Sequence, residues 1–206
     1  FGFAPATVTH SSNIKLVEYK GLPSEVAELA SMSMELISME HWHHYFQDKE
    51  ELKRAKRSQL EGVLSILPWI MIIDSFQDFL YENPNCSYDD RLVAWRKTLS
   101  SFSDGVVNWD GLEQYRDYAW QKQLHIYEVP FYYIEYGIAQ LGAIAMWRNY
   151  KKDKKKTITQ YKNALTLGYS VPISTIYETA GISFDFSSRY VKELMDFVLD
   201  EVQKLH

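Results

Sequence analysis

The sequence predicts an all-α fold, a multi-helix single domain spanning residues 1–206, and three observations carry that expectation. Apolar residues recur at helical spacing, as at Leu29, Met32, Leu36 and Met39 and again at Val191, Leu194, Met195, Val198, Leu199 and Val202. Helix-start signals precede such runs: Ser24, Asp48-Lys49-Glu50-Glu51, Ser87 and Asp110-Gly111-Leu112-Glu113. Neither an internal repeat nor a linker-like composition interrupts them.

In chain order, residues 1–22 lack a helical period. Val8, Thr9, Ile14, Leu16, Val17 and Tyr19 fit an extended segment ending at Gly21-Leu22-Pro23. A helix is expected from Ser24 to about Phe46. A second, opened by the box at Asp48, should be kinked by Pro68, whose ring removes a backbone donor, and should stop at Asn83-Pro84-Asn85. Ser87 starts a third helix carrying Leu92, Trp95 and Leu99, and the box at Asp110 opens a helix to about Leu124. Val129-Pro130 marks a break before a helix from Phe131 to about Tyr150. Two shorter helices follow, at 157–167 and 172–180. Gly181 is a left-handed cap, and the last helix starts at Ser187 or Ser188 and runs to Leu205.

With 206 residues, 46% of them hydrophobic, the chain can bury a core without covalent staples. Its net charge of −5 gives no support for nucleic-acid binding. The basic run at Lys151-Lys152-Asp153-Lys154-Lys155-Lys156 is read as a solvated turn. Cys86 is the only cysteine, which excludes an internal disulfide and points to a reducing, cytoplasmic compartment. No signal peptide is visible. The best membrane-span candidate, Ile66 to Ile73, is short and contains Pro68, so no membrane partner is expected. The chain begins Phe1-Gly2-Phe3, as a processed or excised piece would.

Three constellations could carry chemistry. Glu28 and Glu35 stand seven residues apart, nearly two helical turns, and so share a face. Ionised groups on a face rich in Met, Ala and Leu need a partner such as a metal ion, unless they are exposed residues of an amphipathic helix. His125 precedes the Val129-Pro130 break and is followed by Tyr127, Tyr132, Tyr133 and Tyr136. Imidazole and phenol are good donors to a developing oxyanion, although an aromatic core layer would use the same residues. In Glu40-His41-Trp42-His43-His44, Glu40 and His44 share a face, but imidazoles also suit a helix C-terminus. A Gly-rich phosphate loop, a Gly-x-Ser-x-Gly elbow, a Cys pair and a His-Glu-x-x-His helix are all missing from the sequence.

Ala27-Glu28-Leu29-Ala30-Ser31-Met32-Ser33-Met34-Glu35 resembles the segment after the His-Glu-x-x-His helix in the oligoendopeptidase F and thimet oligopeptidase family of zinc metallopeptidases. His125-Ile126-Tyr127-Glu128-Val129-Pro130-Phe131-Tyr132-Tyr133-Ile134-Glu135-Tyr136, with Ala139-Gln140-Leu141-Gly142-Ala143, resembles the oligoendopeptidase F branch. So does Leu167-Gly168-Tyr169-Ser170-Val171-Pro172 with Ala180-Gly181-Ile182. The resemblance covers about residues 20–190 and implies the C-terminal part of a zinc endopeptidase acting on short peptides. By that resemblance Glu28 is the third zinc ligand and Glu35 a supporting carboxylate. His125 and Tyr133 or Tyr136 stabilise the oxyanion, with Tyr132 and His125 binding substrate. The family's zinc helix would then fall at or before Phe1, and this chain alone would lack activity. The alternative is a non-catalytic helical interaction domain that binds no metal.

Overall fold

The computed structural model describes residues 14–102 and 105–205. Among them are nine α-helices and no strand: α1 (Ser24–Ser38), α2 (Lys49–Glu82), α3 (Tyr88–Ser101), α4 (Glu113–Asp117), α5 (His125–Glu128), α6 (Ile134–Lys152), α7 (Lys154–Leu165), α8 (Ile173–Thr179) and α9 (Ser188–Gln203). Short 3-10 turns occupy Val17–Tyr19, Met39–His44 and Ala119–Lys122. The chain divides into two compact units, one formed by the described residues up to Leu64 and from Ile138 onward, the other by Ser65–Gly137. Both boundaries fall inside helices, α2 and α6.

In the first unit α6 is the central element. Residues 142–147 are buried without interruption, which is the signature of a helix apolar on every side. It packs with Val26, Leu29, Leu36 and Ile37 of α1, Leu60 and Val63 of α2, Ile176 and Tyr177 of α8, and Leu194 and Val198 of α9. Gly142 permits the closest approach. A Cβ there would stand 2.7 Å from Leu29 Cδ1 and 2.9 Å from a Tyr177 ring carbon, inside any tolerated contact. The last helix is the amphipathic one its sequence predicts, capped by the Ser187 hydroxyl, which accepts from the Tyr190 N–H. Gly181 takes the left-handed conformation expected of it, with φ +76°.

The second unit has an aromatic core. Phe76 of α2 meets Trp95 of α3 and Trp120 edge to face, each with centroids 5.2 Å apart, over Ile70, Ile73 and Ile126. Ser87 and Asp90 form a reciprocal capping box on α3, with bonds of 3.1 and 3.0 Å. α2 continues through Pro68. It is also long and apolar enough by composition to cross a membrane, which corrects the expectation that no stretch is. Its Ile70, Ile72, Ile73 and Phe76 nonetheless lie in the core.

Several expectations are corrected. Val8 and Thr9 lie outside the described residues. From Ile14 to Tyr19 the chain forms no strand but ends in the 3-10 turn, with Tyr19 O accepting from Tyr169 N–H at 3.0 Å. The first helix stops at Ser38. The single helix expected over 110–124 is instead α4 followed by a 3-10 turn, and α5 starts afresh at His125. Trp95 Nε1–H takes the Arg116 carbonyl at 2.7 Å, a bond that continued helix would need. The Asp110 box does not form either, because the Glu113 carboxylate accepts from Gly111 N–H instead. The Lys run is exposed at the α6–α7 junction, as read from the sequence; in addition Asp153 caps α7, and Lys151 pairs with Glu40 at 3.3 Å and Glu201 at 2.6 Å.

Candidate functional site

Each unit carries one of the sequence-derived groups. On α1 the core stripe is Val26, Leu29, Ala30, Ser33, Leu36 and Ile37. Each residue turns the helix by about 100°, so Glu28 and Glu35 lie one step round from Leu29 and Leu36. They share a flank, as their spacing requires, but it is not the buried face: Glu28 is half-buried and Glu35 is exposed. The expectation of two carboxylates sunk in a greasy surface is corrected accordingly. The position of Glu28 is nonetheless well supported from behind. Leu29 is held against Gly142, and the Ala30 carbonyl accepts from Tyr161 Oη at 3.2 Å.

Glu40 and the histidines beside it do not form a metal cluster. The Glu40 carboxylate accepts from Trp147 Nε1 at 3.2 Å and from Lys151, while His41 Nε2 lies 3.1 Å from Tyr150 Oη. Among the described residues no three His, Cys, Asp or Glu side chains converge as a metal site. A carboxylate such as that of Glu28 is an oxygen donor of the kind zinc accepts.

In the second unit His125 opens α5, and α6 begins nine residues later at Ile134. The expected helix over 131–150 therefore starts late, and Tyr132 and Tyr133 belong to the turn that precedes it. Pro130 cannot continue α5. Phe131 then adopts φ 59°, a left-handed conformation that costs a non-glycine residue about 1–3 kcal/mol. Its ring centroid lies 4.9 Å from that of Tyr81, the two planes tilted by 51°, and Tyr132 N–H closes the turn on the Val129 carbonyl at 3.1 Å.

This turn brings the aromatic groups together. The imidazole centroid of His125 lies 4.8 Å from the Tyr133 ring, 5.6 Å from Tyr136 and 6.2 Å from Tyr132. Tyr136 stands 5.4 Å from both other tyrosines, roughly perpendicular to each. His125 Nε2 approaches Tyr136 Oη at 3.4 Å, and Nδ1 lies 2.6 Å from the Gln123 amide nitrogen. Tyr133 is buried, and burial foremost pushes its phenol above the ordinary range. Nearby Tyr136 adds to the shift and a hydrogen bond from Trp69 opposes it. Tyr133 is therefore a neutral O–H at neutral pH. Sequence reasoning missed Gln123 and Trp69. Gln123 lies two residues before His125, a separation that the helical period expected here does not place on one face.

Residues 7–196 match peptidase family M3. The chain belongs to that family. Its fold is similar to that of PZ peptidase A solved with an inhibitor, at 30% identity and TM-score 0.86 over 96% of this chain and 35% of that one. It is similar also to a protein described as an oligoendopeptidase F (26% identity, TM-score 0.77, 96% of this chain and 34% of that one). Another so described, from Bacillus anthracis strain Ames, gives 26% identity and TM-score 0.74 over 96% and 32%. The chain thus spans roughly a third of each of these structures. No curated protein matches it.

Proposed function

We propose that this chain is part of a cytoplasmic zinc endopeptidase that hydrolyses short peptides. The observation that carries the reading is the convergence of an imidazole and three phenols, His125 with Tyr132, Tyr133 and Tyr136, inside the stretch matched to peptidase family M3. Zinc bound in such a protein would polarise water and the scissile carbonyl.

Glu28 is proposed as one ligand of that ion, with ligands from outside the described residues completing it. Glu35, one flank position further along α1, would support the site by orienting a ligand through hydrogen bonding. His125 and Tyr136, with Tyr133 beside them, would donate to the oxygen of the peptide carbonyl as it gains charge. Tyr132, stacked on His125, would line the path of the peptide chain. Such donors matter because they are fixed in place before reaction and need no reorganisation when charge develops.

Three substitutions in the intact protein test this. Glu28→Gln should remove most of the bound zinc, measured by elemental analysis after gel filtration; unchanged metal content would withdraw the ligand assignment. Tyr136→Phe should keep its zinc and lose about a hundredfold in kcat on a short fluorogenic peptide, the scale of one lost oxyanion donor. Unaltered turnover in both Tyr136→Phe and Tyr133→Phe would return these rings to a packing role.

A further inference from the structure

Behind His125 stands a chain of polar groups whose directions can be read without seeing a hydrogen. The indole N–H of Trp69 can only donate, and it lies 3.1 Å from Gln123 Oε1. The Gln123 amide must therefore turn its oxygen toward the indole, since the reverse orientation would set two donors against each other. Its NH2 group then faces His125, with the amide nitrogen 2.6 Å from Nδ1. An amide N–H requires a lone pair, so Nδ1 is the acceptor and the ring proton sits on Nε2. Nε2 in turn faces the Tyr136 hydroxyl at 3.4 Å.

We infer that Trp69 and Gln123 are positioning residues that hold His125 as its Nε2–H tautomer, making the Tyr136 oxygen an acceptor from the imidazole and the Tyr136 O–H a donor beyond it. Donation along such a chain polarises each successive group, so the phenol proton becomes a better donor than an isolated tyrosine's. Trp69 itself is fixed edge to face on Trp95 at 6.0 Å, with the Lys122 ammonium 5.3 Å from its ring centroid. The relay stands on geometry alone. Its consequence for catalysis, that Tyr136 offers its proton to a peptide oxyanion, rests on the proposed peptidase function.

The relay is tested by nitrogen NMR on the full protein labelled with 15N-histidine, recorded at a pH where the histidine signals no longer move. The His125 signals are assigned by their disappearance in His125→Asn. The wild-type protein should show a pyrrole-like shift at Nε2 and a pyridine-like shift at Nδ1. Gln123→Glu should exchange the two, because a carboxylate can only accept and draws the proton to Nδ1. Trp69→Phe should give a mixture, since nothing then chooses the amide orientation. A wild-type ring protonated at Nδ1, or a Gln123→Glu spectrum identical to wild type, would overturn the proposal. The wild-type spectrum decides even if neither variant folds. Turnover separates the two ideas: Gln123→Glu should lower kcat about tenfold or more, in the range typical of residues that orient a functional histidine. An Nε2–H wild type without peptidase activity would uphold the relay and remove the peptidase reading instead.

Discussion

The carboxylates of α1 and the imidazole–phenol group of the second unit are presented by opposite means. Glu28 and Glu35 ride on an unbroken helix, and the helical period alone puts them on one flank. His125, Tyr132, Tyr133 and Tyr136 meet because one helix ends at Pro130, Phe131 takes a left-handed turn and an aromatic core lies among them. A regular helix carries its side chains wherever its own hydrogen bonds survive. A turn assembled from short helices keeps its geometry only while the packing beneath it lasts. The second group should thus be the more fragile, and its fragility should trace to the core of its own unit.

The largest expected effect follows from that contrast. Trp95 is fully buried, contacts Phe76 and Trp69 edge to face, and anchors the Arg116 carbonyl. Trp95→Ala should cost about 3–5 kcal/mol, the range for truncating a buried aromatic. Amide hydrogen exchange should quicken across α3 to α5 and in the turn before α6, while α1 retains its protection. Equal loss of protection in α1 would break the distinction between the two cores.

The same contrast explains what could be read before any coordinates. Helical period, the Ser87 and Ser187 caps, the Val129-Pro130 break and the Gly181 turn are local, set by residues within a few positions of one another, and all of them appear. The spacing of Glu28 and Glu35 was legible for the same reason. So was the apolar stripe through Leu29, Leu36 and Met39, all of them buried, but the close approach of Leu29 to Gly142, more than a hundred residues away, was not. The breaking of the 110–124 helix was hidden for a like cause: Trp95 competes for a carbonyl from another element. The His–Tyr cluster was visible as a sequence segment. Its anchor through Gln123 to Trp69 joins residues 54 apart and leaves no pattern in either neighbourhood.

The ionic groups of the two units sharpen the comparison with a smaller effect. In the second unit, hydrogen bonding from the Arg96 guanidinium, aided by Arg116 and opposed by burial, holds the Asp117 carboxyl below its ordinary 3.8. In the first, burial works to raise the Glu201 carboxyl, but Lys151 and Lys204, each at 2.6 Å, outweigh it and hold it below 4.5. A carboxyl depressed on folding stabilises the protein above its unfolded pKa and loses that contribution as pH falls through the folded value. Glu201→Gln should therefore flatten the dependence of the urea midpoint on pH below about 4.5, and Asp117→Asn below about 3.8. Each should cost about 1–3 kcal/mol at neutral pH. An alkaline limb separates the pairs. Burial lowers the Lys151 ammonium pKa, yet the bonds and charges of Glu201 and Glu40 raise it above 10.5 on balance. Its contribution is complete below that value and fades as pH climbs through the folded one, whereas an arginine does not titrate there. An acid limb unchanged in Glu201→Gln would mean that this network does not govern the first unit's pH response.

The smallest effect sets two helix starts of the second unit against each other. Ser87 and Asp110-Gly111-Leu112-Glu113 both read as helix starts, and of the two only the second reads as a capping box. Only the first closes one. Ser87 and Asp90 exchange backbone bonds, and the hydrogen bonds from Ser87 draw the Asp90 carboxyl below its ordinary range. At the second, α4 begins at Glu113 with no side-chain cap, and Asp110 N–H donates to Asn108 Oδ1. Ser87→Ala should thus cost about 1 kcal/mol, the usual value of an N-cap hydroxyl, while Asp110→Ala should leave stability within about 0.5 kcal/mol of wild type. Equal losses in a urea titration would mean that Asp110 caps α4 in solution. The break after Asp117 would then owe less to Trp95 than its bond to the Arg116 carbonyl implies.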